Sequence, residues 1–218
     1  MLFRSWRAVL AQLSCGKTRY AVLATSTHRC LVGVTVACVS MNLDGRTGGS
    51  ASGYAATVGV AGLAGFIGSL TSEWANEHLR RRALTIGVFA ASGLVLVPVQ
   101  FVNSPMLCLA IIGLIAFCFQ NLRVASDATI QANAAPGSCG RVFAAYDVAF
   151  NLTYVGGLLV GLSLSSNISS EVGLMACAPL FFVGAIVFAV IERDVRIGDT
   201  QDAAALVVES RESTPVAV

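Results

Sequence analysis

The sequence predicts an all-α membrane protein with six transmembrane helices, and three observations carry that expectation. Over 218 residues the chain is 56% hydrophobic and only 12% charged, and its mean hydropathy is +0.75, too apolar for an ordinary soluble domain. Six apolar runs can be counted, each close to the roughly 20 residues that cross about 30 Å of hydrocarbon as a helix. The basic residues then fall almost entirely on one side of the resulting topology. A net charge of +2 spread in that way makes no patch for a polynucleotide, so no nucleic-acid partner is expected.

Residues 1–19 lead the chain. Leu2, Phe3, Trp6, Val9, Leu10 and Leu13 recur at helical spacing with Arg4, Arg7 and Gln12 elsewhere, the pattern of an amphipathic helix lying on the membrane surface. No cleavable signal peptide is read here. The bundle is expected over 20–191, with spans at about 20–41, 51–70, 83–102, 106–122, 142–164 and 172–191, and residues 192–218 are expected to form a disordered cytoplasmic tail.

The second span carries Gly53, Gly59, Gly62, Gly65 and Gly68. Pairs such as Ala61 with Gly65 and Ala64 with Gly68 have the small-x-x-x-small spacing that lets helix backbones approach; tight packing and a moving gate surface are both open readings. Pro98 should kink the third span by removing a backbone hydrogen bond. Only Asn103, Ser104 and Pro105 separate it from the fourth, so these two are expected to be antiparallel neighbours. In the fifth, Asp147, Asn151 and Tyr154 are spaced i, i+4, i+7 and share one helix face.

The stretch between the fourth and fifth spans holds most of the mid-chain polar residues. Arg123, Asp127 and Gln131 precede a Pro-Gly turn, and then come Gly140-Arg141-Val142-Phe143-Ala144, Tyr146, Asp147 and Asn151. This resembles the loop that opens the eleventh helix of major facilitator superfamily (MFS) transporters, in particular bacterial drug-efflux-like members. The resemblance implies that the six spans are one MFS-type half bundle, the C-terminal one, made of two three-helix inverted repeats. Residues 1–19 then correspond to the connector between the family's sixth and seventh helices. Between the second and third spans the family carries G-x-x-x-D-[RK]-x-G-[RK]-[RK]; this chain keeps Gly68 and the Arg80 to Arg82 cluster, has Ser72 at the Asp position, lacks the inner Gly and is several residues longer. Those arginines read either as the family's latch or as a positive-inside anchor.

Of the 14 Lys and Arg residues, Arg4, Arg7, Lys17, Arg19, Arg80, Arg81, Arg82, Arg123, Arg141, Arg193, Arg196 and Arg211 fall on one side, Arg46 on the other, and Arg29 inside a span. The positive-inside rule then puts both termini in the cytoplasm of a cell whose inner (plasma) membrane the chain crosses.

Arg29 stands out because starting the first span after it leaves too few residues to cross. Counted from Tyr20 it lies about 13 Å deep, where a charge costs roughly 2.5 to more than 10 kcal/mol. Asn151 is expected at a similar depth, with Asp147 one turn nearer the cytoplasm and within reach of the guanidinium. One reading has Arg29, its neighbour His28, Asp147, Asn151 and Tyr154 lining an aqueous cavity for substrate or protons. The other has Arg29 and Asp147 as a structural ion pair. The resemblance favours the cavity, since the matching helices border it in the family.

The seven cysteines show no C-x-x-C pair and read as small buried hydrophobes, so no metal and no cofactor are expected. No phosphate loop, paired His or triad is present, which argues against an enzyme. What the MFS resemblance implies is part of a secondary transporter, an efflux permease of small organic molecules driven by protons, with the bilayer and a second six-helix half as partners. The competing reading is a non-transporting six-span scaffold or the remnant of a split transporter gene.

Overall fold

A computed structural model describes residues 13, 16–47, 51–100, 104–134, 138–169 and 172–191. The expected surface helix, most of which precedes residue 16, and the tail after 191 lie outside the described residues. Among those residues every regular element is helical: α1 (Gly16–Thr47), α2 (Ala51–His78), α3 (Arg81–Leu96) with a 3-10 turn at Val97–Gln100, α4 (Pro105–Asn133), α5 (Cys139–Asn167) and α6 (Val172–Ile191). Five of the six are long and apolar enough to cross a membrane.

Several helices outrun their expected bounds because polarity marks the membrane edge rather than the end of a helix. α4 continues through Asn133, so Arg123, Asp127 and Gln131 are helical rather than in a loop. From Arg123 to Asn133 there is no Gly or Pro to stop it, and the break comes only before Pro136 and Gly137. α2 likewise runs to His78, leaving Leu79 and Arg80 as the link to α3. The start of α4 follows the rule that Pro suits a first turn, whose N–H groups lack helical acceptors anyway: Pro105 opens it.

α3 is the exception to crossing length. Leu94 O would accept from residue 98 in an α-ladder, but Pro98 has no N–H. The Val97 N–H takes that carbonyl instead, which tightens the chain into the 3-10 turn of residues 97 to 100. The proline thus changes the helix type where a kink alone was expected. Sixteen α-residues give about 24 Å and four 3-10 residues add about 8 Å, just enough to reach across hydrocarbon.

α1 is the central helix, 61% of its window buried against 17% for α2 and for α5. It packs most extensively on α5, and α2 packs most extensively on α4; α1 also meets α4, and α3 meets α4. α6 joins α1 through Tyr20 and Phe188, whose rings meet edge-on at 5.7 Å, and joins α3 through Phe89, Phe181 and Phe188. A second buried cluster, Phe119, Ile130, Val142, Tyr146 and Phe150, lies where α4 meets α5. The α1/α5 contact is a glycine seam: a Cβ on Gly157 would overlap the Cys30 carbonyl, and one on Gly161 would come within 2.7 Å of Val34 O. Such backbone proximity is how helices pack tightly in lipid, where van der Waals contact replaces the hydrophobic drive.

Candidate functional site

The seam fixes what α1 offers to its neighbours. Adjacent helical residues diverge by about 100°, so His28 and Arg29 leave α1 in different directions. His28 is fully buried toward α3 and α6, between Phe89 at 5.0 Å and Phe181 at 5.2 Å, with Phe119 stacked at 6.0 Å. Its Nε2 lies 3.0 Å from Ser92 Oγ, and its Nδ1 is buried without a partner. His28 is therefore part of an aromatic core and not of a cavity shared with Arg29, which was one of the two sequence readings.

Arg29 faces α4 and α5. Its guanidinium carbon lies 4.1 Å from the Tyr154 ring centroid and 4.5 Å from that of Phe119. The expected ion pair with Asp147 is not formed: Asp147 Oδ1 instead lies 3.7 Å from Nη2 of Arg123. Depth counting put Asn151 level with Arg29 and Asp147 one turn away, within reach of the guanidinium, but could not give the register of α4, which interposes its own arginine. Arg123 also lies 3.9 Å from Asp127 and 5.0 Å from the Phe150 ring centroid. Both carboxylate contacts exceed hydrogen-bond length, so they are charge proximity only.

Between α1, α2, α4 and α5 these side chains open on a cavity of about 230 Å³. Its polar groups are Arg29, Arg123, Gln120, Thr35 and Tyr154, and its remaining walls are aliphatic and aromatic, from Val32 and Val36 to Ile112, Ile115 and Phe119. Gln120 is tied back by its Nε2 donating to Ser69 Oγ at 2.9 Å, and the Thr35 hydroxyl donates to Leu31 O at 2.9 Å.

Of the sequence candidates, Arg29, Tyr154 and Arg123 line this cavity, and Asp127 and Asp147 stand behind Arg123. Asn151 is exposed on α5 and donates to Asp147 O at 2.8 Å, so the polar face of α5 is shared between the cavity and the open surface. Gln131, Gly140 and Arg141 are exposed, away from the cavity. Sequence reasoning put Gln120 at the cytoplasmic edge of the fourth span rather than in the cavity, and missed Thr35, which looks like an ordinary polar residue of a helix, and Phe119, which looks like core. It also missed a buried polar link, Thr25 Oγ1 donating to Ser126 Oγ at 2.6 Å between α1 and α4. The glycines that were singled out on α2 divide: Gly68 packs on Phe117 and Gln120, while Gly59, Gly62 and Gly65 have nothing within 4 Å of a hypothetical Cβ. Among the described residues no cluster of three His, Cys, Asp or Glu side chains could hold a metal.

Described residues whose regular elements are all helical, with five membrane-length helices among them and charged groups drawn inside, have the make-up of a multi-pass membrane protein. Comparison with family models, with curated proteins and with solved structures gave no match.

Proposed function

We propose that the chain is one six-helix half of a secondary transporter of the MFS type, and that the cavity around Arg29 and Arg123 is its wall of the substrate pathway. The observation that carries this reading is the pattern of helix contacts. Exchanging α1 with α4, α2 with α5 and α3 with α6 turns the α1/α5 packing into α4/α2, and α1/α6 into α4/α3, while α1/α4 and α3/α6 map onto themselves. Each of those contacts is made. That invariance is what two inverted three-helix repeats produce.

The outward faces support the need for a second half. α5 exposes Val148, Leu152, Leu159 and Val160 beside Asp147 and Asn151, and α2 exposes Val58, Leu63, Phe66 and Leu70. Polar side chains facing lipid carry a free-energy cost that a covering bundle removes, so the functional unit has a second six-helix half, a separate chain or a second copy of this one. Both termini lie in the cytoplasm of the inner membrane in this reading, and proton movement drives export of a small organic molecule.

To test it, the purified chain is reconstituted in liposomes, its subunits are counted by single-molecule bleaching, and dye efflux is followed under an imposed proton gradient. Gradient-dependent efflux confined to vesicles that hold two halves is the expected result. Efflux from monomers removes the half-transporter reading, and no efflux from paired halves favours the scaffold.

A further inference from the structure

Resting on the transport reading above, we infer that the pathway takes a small organic anion, a carboxylate with an apolar aromatic or branched body, held by Arg29 and Arg123. The charge balance of the cavity leads there. Two guanidinium groups line it and no acidic side chain does. Among the described residues Arg29 has no carboxylate within ion-pair distance; its charge is set over the rings of Tyr154 and Phe119, and a cation over a ring face is held without using its N–H donors. The Nε of Arg29 is in fact buried with no hydrogen-bond partner.

Arg123 is similarly unsaturated. Its contacts to Asp147 at 3.7 Å and Asp127 at 3.9 Å are too long to be hydrogen bonds, so the two acids partly balance its charge and leave its donor fork uncommitted. A planar fork of that kind fits a carboxylate, and charge-assisted hydrogen bonds are the strong ones. Beside the polar Gln120, Thr35 and Tyr154, the walls formed by Val32, Val36, Ile112 and Ile115 suit a hydrocarbon body better than a highly hydrated inorganic ion. At about 230 Å³ the space on this half is below the roughly 300–1,000 Å³ of drug-sized sites and has room for a body of the size of benzoate, which serves as the probe.

The test uses the full chain in a non-ionic detergent without added lipid, titrated calorimetrically with benzoate, benzamide, benzylamine and inorganic phosphate. Benzoate is expected to bind about tenfold or more tighter than the other three, the difference that a charge-assisted hydrogen bond makes. Arg29→Gln should abolish that preference. Asp147→Asn should act in the opposite direction and tighten benzoate several-fold, because it removes one of the two carboxylates that partly balance the charge of Arg123; this gain cannot come from a damaged fold. The inference is overturned if benzamide or phosphate binds as well as benzoate, if benzylamine is preferred, or if Asp147→Asn weakens benzoate. Binding is read at equilibrium without flux, so a chain that selects benzoate but moves nothing when paired keeps this inference and loses the transport reading.

Discussion

The guanidinium of Arg29 on α1 lies 4.1 Å from the ring centroid of Tyr154 on α5, so the charge buried in the central helix is compensated by an aromatic face rather than by a carboxylate. The pairing joins the same two helices that the glycine seam brings together, and a desolvated cation over a ring is worth about 2 kcal/mol against about 0.5–1 kcal/mol at an exposed site. Tyr154→Leu should therefore destabilise the chain by about 1–2 kcal/mol, whereas Tyr154→Phe, which keeps the ring, should lose little. Denaturant unfolding of both variants in the Arg29 and Arg29→Leu backgrounds checks this. A coupling energy near zero between positions 29 and 154 would mean that the ring only fills space.

The seam makes a sharper demand. Gly157 has no room for a Cβ, which would run into the Cys30 carbonyl, while Gly62 on α2 has nothing within 4 Å. Gly157→Ala must push α1 and α5 apart and should cost about 1–3 kcal/mol, the usual penalty of overpacking. Gly62→Ala should be neutral or stabilise by up to about 1 kcal/mol, since Ala is the better helix former. Thermal unfolding midpoints of the two purified variants give the comparison, and the reverse order would contradict the packing described.

These two cases also mark what was legible in the sequence. Arg29 was legible because a charge inside an apolar run is costly wherever the chain folds. Of its partners, Tyr154 was singled out by its place on the polar face of α5, but the stacking of its ring on the guanidinium was not, and Phe119 is indistinguishable from a core aromatic until the helices are set side by side. The Asp147 pairing failed for a related reason, since depth along one helix is countable but the rotation and slide of α4 against α1 are not, and those decide that Arg123 intervenes. Glycine followed the same pattern. The glycine-rich α2 drew attention by density, yet the critical close approach is at Gly157 and Gly161 of α5, because what matters is which glycines face another backbone. The helices themselves were foreseeable from hydropathy, but their ends beyond the membrane were not, as α4 shows by carrying Arg123 to Asn133 in unbroken helix.

His28 and Ser92 form a buried polar pair in aromatic surroundings, 3.0 Å apart. Because the Nδ1 of His28 already lacks a partner, Ser92→Ala would leave the ring with neither nitrogen satisfied, at a cost of about 1–3 kcal/mol. Replacing both, with His28→Phe added, should recover much of that loss, since removing both partners of a buried hydrogen bond is far cheaper than removing one. Unfolding free energies of the two single variants and the double complete the cycle. Strict additivity would show that the contact contributes nothing to stability.

α3 decides how many times the chain crosses. Its α-helical part is only 16 residues, about 24 Å, and crossing relies on the added 3-10 turn before Ser104. Three arginines, Arg80, Arg81 and Arg82, stand at its N-terminus, where each cation opposes the helix dipole by about 0.3–1 kcal/mol. Capping therefore does not explain them, whereas in the orientation proposed above they would anchor the cytoplasmic end of a short crossing helix. A reporter active only in the cytoplasm should then work when fused after Arg82 or Val218, and stay silent after Gly48 or Asn103. If α3 instead folds back without crossing, the Asn103 fusion becomes active, and every later helix inverts so that the Val218 fusion falls silent. Those two fusions must change together, which makes the result internally checked: a silent Asn103 with an active Val218 establishes six crossings, and the opposite pair establishes five.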